Sequence, residues 1–153
     1  MFYRLKKIFW RLFEPIFPTM RDTWIFLGFI KHNERQRHLL GHLKASASRH
    51  DLRTILIKAG FEDDYLGWID PDEILNMRKL INFVYQYHVR LFPDGEIRGH
   101  YEFSTESHPF KHLREVGMTD GFDYLKPLLA EVMTNDPHLS PAKLNPKLRP
   151  RRS

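Results

Sequence analysis

Apolar residues recur along this chain with two periods, a helical one in the first 60 residues and a strand-like one between residues 83 and 103. At about 100° per residue, Phe2, Leu5, Ile8, Phe9, Leu12 and Phe13 fall on one arc of a helix over Phe2–Glu14. Tyr3 and Trp10 stand on the shoulder of that arc, and Arg4, Lys7, Arg11 and Glu14 lie opposite, with Lys6 the one misfit. Pro15 and Pro18 then end the helix. Trp24–Lys31 and His38–Lys44 are apolar stretches separated by polar residues, and they read as the two arms of a hairpin. A second helix is predicted over 49–59. Ser48 is its N-cap with Asp51 at N3, a capping box. Leu52, Ile55, Leu56 and Ala59 form its apolar stripe, and Gly60 supplies the left-handed residue that closes it, with Phe61 behind. Glu62–Ile69 reads as a strand running to the Asp70-Pro71 turn, and 73–80 fits either a short helix or a strand.

The tightest constraint lies in residues 83–103. Phe83, Tyr85, Tyr87, Val89 and Leu91 alternate with Val84, Gln86, His88, Arg90 and Phe92. After Pro93-Asp94-Gly95, Ile97, Gly99, Tyr101 and Phe103 alternate with Glu96, Arg98, His100 and Glu102. A two-residue turn at Asp94-Gly95 would put Pro93 in the ladder without an N–H to donate. A type I turn centred on Pro93-Asp94, with Gly95 as a left-handed bulge, pairs Leu91 with Ile97, Val89 with Gly99, Tyr87 with Tyr101 and Tyr85 with Phe103. Apolar side chains then share one face, so the bulged turn is the expected one. The other face gathers Gln86, His88, Arg90, Glu96, Arg98, His100 and Glu102. His88 stands opposite His100 and Arg90 opposite Arg98, an arrangement that Glu96 (for Arg90) and Glu102 (for His88 or Arg98) relieve diagonally.

Beyond the hairpin, the residue before Pro109 is pushed out of the α region, so His108 is an N-cap and Pro109 the first helical residue. Phe110, Leu113 and Val116 mark the buried side of that helix, and Gly117 ends it. Another helical stretch follows around Phe122, Leu125, Leu128, Leu129 and Val132, with Pro127 at its start or at a kink. The fold class is α+β: an antiparallel sheet, approximately β-α-β-β-β-α, with helices on its Tyr-rich face. Three segments are expected: a basic amphipathic N-terminus over 1–21, a domain over 22–133, and a basic, proline-punctuated, disordered tail over 134–153. The α-β-β-β-α order across about residues 50–117 is similar to that of double-stranded-RNA-binding folds and of small HicA-type toxin nucleases. Order alone carries no function.

Composition narrows the chemistry. No cysteine is present, which excludes disulfides, thiolate metal sites and Cys nucleophiles. The longest apolar run, Trp24–Ile30, is far short of the roughly 20 residues of a membrane span. The start carries no signal-peptide pattern, so a cytoplasmic location is expected, membrane-peripheral where the N-terminal segment docks on a membrane. Of the net charge of +5, residues 1–60 carry +8, 61–103 carry −5 and 104–153 carry +2. A basic front and tail around an acidic middle point either to an acidic partner or to pairing within the molecule.

Two binding surfaces follow. The first is the polar hairpin face, Gln86, His88, Arg90, Arg98, His100 and Glu102, which offers Arg forks and His donors to a nucleic acid or another polyanion. The tail residues Lys147, Arg149, Arg151 and Arg152 extend it by charge. The second is the apolar arc Phe2, Leu5, Phe9, Trp10, Leu12 and Phe13, which suits an anionic membrane surface or a protein partner. The leading expectation is therefore a non-enzymatic binding module, with a membrane- or complex-docking subunit as the alternative. Enzyme chemistry comes third. His88 or His100 would be acid and base beside Arg90 or Arg98 in a ribonuclease, and a metal-dependent hydrolase would draw on His108 and His112, four apart, together with His88 or His100. The pattern implies no cofactor, and no Gly-rich phosphate loop or G-x-S-x-G elbow is present.

Overall fold

The computed structural model describes residues 15–29, 38–64 and 72–139, together with the single positions 5, 8, 9 and 12. Its elements are α1 (Phe17–Phe26), β1 (Leu39–Leu43), α2 (Arg49–Lys58), β2 (Glu62–Asp63), β3 (Leu75–Leu80), β4 (Tyr85–Leu91), β5 (Glu96–Phe103), α3 (Pro109–Leu113), α4 (Phe122–Leu129) and β6 (Met133–Thr134). A single 3₁₀ turn, Pro137–Leu139, follows β6.

Residues that resist every conformation but one set these boundaries. The side chain of Ser48 accepts from the amide of Asp51 while the Asp51 carboxylate accepts from the amide of Ser48, so the expected capping box starts α2. Those hydrogen bonds hold the Asp51 carboxyl below its ordinary value. Gly60, at φ +88°, ends the helix. The ambiguous 73–80 stretch forms strand β3, and the Glu62–Ile69 strand is present only as Glu62–Asp63, since residues 65–71 lie outside the described residues.

The hairpin has the bulged turn. Gly95 sits at φ +84°, and the amide of Phe92 donates to the carbonyl of Glu96 at 3.0 Å. The ladder then pairs Leu91 with Ile97, Val89 with Gly99, His88 with His100 and Arg90 with Arg98. All pairings are antiparallel, in the order β2-β3-β4-β5-β1-β6. One face carries the core: Leu52 and Leu56 of α2 and Leu125 and Leu129 of α4 pack with Leu40, Leu43, Met77, Val89, Leu91 and Ile97. Gly99 lies at the tightest point of this layer. A Cβ there would come within 2.7 Å of the His88 carbonyl, 2.8 Å of Leu40 and 2.9 Å of Leu125.

Four expectations need correction. The arm expected over Trp24–Lys31 is not a strand, because Trp24–Phe26 is the end of helix α1. Pro18 is the second residue of that helix, where its fixed φ suits a first turn and its missing N–H costs nothing. Phe110 of α3 is 75% exposed and Val116 beyond it is also exposed, although both belong to the side predicted to be buried, and His112 faces inward instead. Finally, Thr134 is a strand residue paired with His42, which places 134–139 with the sheet rather than in a tail. Of the expected N-terminal helix, only Leu5, Ile8, Phe9 and Leu12 are described, and they are helical.

Two substitutions test this account. Gly99→Ala should destabilise by about 2 kcal/mol or more through overpacking between β1 and α4. Ser48→Ala should lower stability by about 1 kcal/mol through loss of the cap. Urea denaturation reads both, and a Gly99→Ala protein as stable as the parent would refute the close approach.

Candidate metal centre

Side chains on the second face of β3, β4 and β5 are Asn76 and Arg78, then Gln86, His88 and Arg90, then Arg98, His100 and Glu102. The sequence reading exposes this face, whereas the structure encloses it. Gln86, His88, Arg90, His100 and Glu102 are buried, and Arg98 is largely so. The covering groups come from sequence-distant segments: Asp64 after β2, Glu73 before β3, Ser104, Thr105 and Glu106 after β5, and His112 of α3, all buried. As an exposed anion-binding strand, the face is therefore corrected: its arginines and histidines meet carboxylates of the same chain.

Arg90 donates to Glu73 at 2.7 Å, and Arg98 donates to Glu96 at 2.8 Å. The opposed pair Arg90 and Arg98 is thus relieved by carboxylates, Glu73 for Arg90 and Glu96 for Arg98. Arg78 has its guanidinium 2.7 Å from Glu106, 3.5 Å from Glu62 and 3.8 Å from Asp64. Burial alone would ease its deprotonation, but Asp64 and Glu106 more than offset that and raise its pKa further.

The centre of the cluster is one carboxylate oxygen. Glu102 Oε1 lies 3.1 Å from His88 Nε2, 3.0 Å from His100 Nε2 and 3.2 Å from His112 Nδ1. The His88 and His100 rings are parallel within 9°, with centroids 5.0 Å apart, because the ladder sets them directly opposite each other. Behind His88, Asp64 Oδ2 lies 3.3 Å from Nδ1. His112 Nδ1 also meets the Phe103 carbonyl at 3.0 Å, which orients that ring as a donor. The Gln86 amide nitrogen bridges the group, 2.6 Å from His88 Nε2 and 3.3 Å from Glu102 Oε1, while its carbonyl oxygen accepts from Arg78 at 3.4 Å.

Charge states follow from these neighbours. Burial opposes ionisation of Glu102, yet His112 and His100 outweigh it and hold the carboxyl well below its ordinary range. Burial lowers the pKa of His88 despite Asp64, which keeps that imidazole neutral with a lone pair. For His112, burial is overcome by the Glu102 charge, and its pKa rises. Among the described residues the buried fixed charges are four carboxylates (Asp64, Glu73, Glu102 and Glu106) and two guanidiniums (Arg78 and Arg90), a net of −2. Positive charge at the imidazoles, or a cation held by them, balances such an interior.

Of the two sequence-level metal candidates, His112 joins the cluster. His108 does not: its Nδ1 meets Ser107 Oγ at 2.9 Å and its ring lies against Phe103. The residues that sequence reasoning missed are Asp64, Glu73, Arg78 and Glu106. One signal for them existed, since the −5 charge of residues 61–103 demands basic partners and the strand face supplies them. The tail residues Lys147, Arg149, Arg151 and Arg152 lie outside the described residues, as do Phe2, Trp10 and Phe13. No family model, no curated protein and no solved structure matches this chain.

Breaking the Arg90–Glu73 pair from one side should cost about 3–5 kcal/mol, because the partner charge stays buried. Arg90→Leu alone is therefore expected to be far less stable than the Arg90→Leu/Glu73→Leu double variant. Equal stability of the two in a urea-based double-mutant cycle would show that the pair is not buried as described.

Proposed function

We propose that this protein is a metal-binding domain that holds one divalent first-row ion, Zn²⁺ fitting best, through His88 Nε2, His100 Nε2 and Glu102 Oε1. The observation that carries this reading is the convergence of three buried donor atoms, all within 4.8 Å of one another. Tetrahedral ligand bonds of about 2.0–2.2 Å set neighbouring donors roughly 3.3–3.6 Å apart, so the two His–Glu pairs, at 3.1 and 3.0 Å, would open by a few tenths of an ångström to admit the ion. Two imidazoles and a carboxylate, with no thiolate, form a donor set of the kind that zinc and other first-row ions use.

The surroundings fit as well. Asp64 places a carboxylate oxygen 3.3 Å from the far nitrogen of His88, where its negative charge would favour that imidazole's binding of a cation. His112 steadies Glu102 from the opposite side. An ion held there would take the place of the Gln86 amide nitrogen at His88 Nε2. The donors are only 1%, 2% and 4% exposed, which favours a structural role over contact with a substrate. The ion would tie β4 to β5 and, through Glu102 and His112, the sheet to α3.

The full chain, dialysed against chelator and then supplied with Zn²⁺, should take up one equivalent by elemental analysis. A hundredfold excess over Kd should raise its melting temperature by about 5–10 °C. His100→Ala and Glu102→Ala should remove this uptake, while His108→Ala retains it. Absence of stoichiometric metal in the parent, or full uptake by both ligand variants, would sink the proposal.

A further inference from the structure

The exposed apolar side chains of the N-terminal segment form a pattern that the metal centre does not use. Leu5, Ile8, Phe9, Leu12 and Ile16 are 55%, 57%, 51%, 70% and 52% exposed. The spacing of the first four, three, one and three residues, is that of a single helical stripe, and Ile16 stands in the turn that precedes α1. Beyond them, Phe26, Leu27 and Phe29 are 89%, 56% and 73% exposed. More than half of each of these surfaces remains in water in the folded chain, in a concentration that scattered surface residues do not produce.

Charge identifies what would cover them. Residues 1–31 contain six basic side chains (Arg4, Lys6, Lys7, Arg11, Arg21 and Lys31) against two acidic ones, Glu14 and Asp22. On a helix through the stripe, Lys7 and Arg11 fall on the far side together with Tyr3 and Trp10, while Arg4 and Lys6 flank the stripe at about 100° on either hand. Long basic side chains beside an apolar stripe reach up to anionic headgroups while the stripe enters the acyl boundary. A protein partner would explain the stripe but would not call for a threefold excess of basic over acidic side chains. No helix among the described residues is long and apolar enough to cross a membrane, so the segment would lie along the surface.

We infer that residues 4–16 form an in-plane anchor for a membrane surface rich in anionic lipid, with Leu5, Ile8, Phe9 and Leu12 as the inserting stripe and the flanking Lys and Arg side chains as headgroup contacts. The test is co-sedimentation of the full chain with vesicles of phosphatidylcholine alone and of phosphatidylcholine mixed with phosphatidylserine. Binding to the anionic vesicles should be about tenfold or more stronger and should weaken as salt rises. Leu5→Gln/Leu12→Gln should abolish it, and Lys6→Glu/Lys7→Glu should reduce it to the neutral-vesicle level. Both pairs should melt at the parent temperature, since neither Leu5 nor Leu12 is buried in the domain. Equal partition onto neutral and anionic vesicles, no partition at all, or unchanged partition of Leu5→Gln/Leu12→Gln would each overturn the inference. So would a parent dimer that this variant dissociates without any vesicle binding, which would assign the stripe to a second copy of the chain.

Discussion

The constraint on which this structure depends is the cost of keeping ionised groups out of water. Glu102 sits at the middle of the problem: its carboxylate is buried, ionised and surrounded by three imidazoles. Moving a carboxylate or guanidinium into a protein interior costs several kcal/mol per ion even after relaxation, and only close, well-directed partners offset it. The second face of the sheet therefore tolerates few alternatives. Arg90 needs Glu73, Arg78 needs Glu106, and Glu102 needs its histidines, each delivered from a different stretch of chain.

That requirement reaches back to the strand register. A slip of one residue in the β4–β5 ladder would carry Val89, Leu91 and Ile97 to the polar side and bring His88, Arg90 and His100 against Leu52, Leu56 and Leu125. Both layers would fail together. The Pro93-Asp94-Gly95 turn enforces the register locally and the two dissimilar faces enforce it globally, so local and tertiary preferences agree. Gly99 shows the same agreement in steric form: it lies opposite Val89, where any side chain would meet Leu40 and Leu125.

This division explains what could be read in advance. The cross-strand pairs, the α2 capping box and the polar composition of the second face are local properties, and each follows from a few neighbouring residues. Burial of the polar face is not local. It depends on Asp64, Glu73, Glu106 and His112 arriving from outside the hairpin, and period-two alternation looks the same for a solvated face and for an ionic interior. Phe110 misled for the same reason: helical spacing selects Phe110, Leu113 and Val116 as the inner side, but the polar cluster selects His112. The start of α1 was hidden because a proline both closes one helix and opens the next.

Charge distribution connects the interior to the rest of the molecule. Arg90 and Arg98, the basic groups that make the strand sequence look like a polyanion site, meet carboxylates of their own chain, as does Arg78, and the buried fixed charges around them are net negative. The surplus positive charge of the chain is therefore carried by other segments, above all by residues 1–60 with their net +8. Long-range attraction to an anionic surface then comes mainly from that end, while the sheet contributes little of it. The sheet uses its ionic groups inward instead, where Glu102 is held by His100 and His112 and the buried fixed charges are net negative. The surplus positive charge of residues 1–60 and the ionic network of the sheet therefore draw on different side chains.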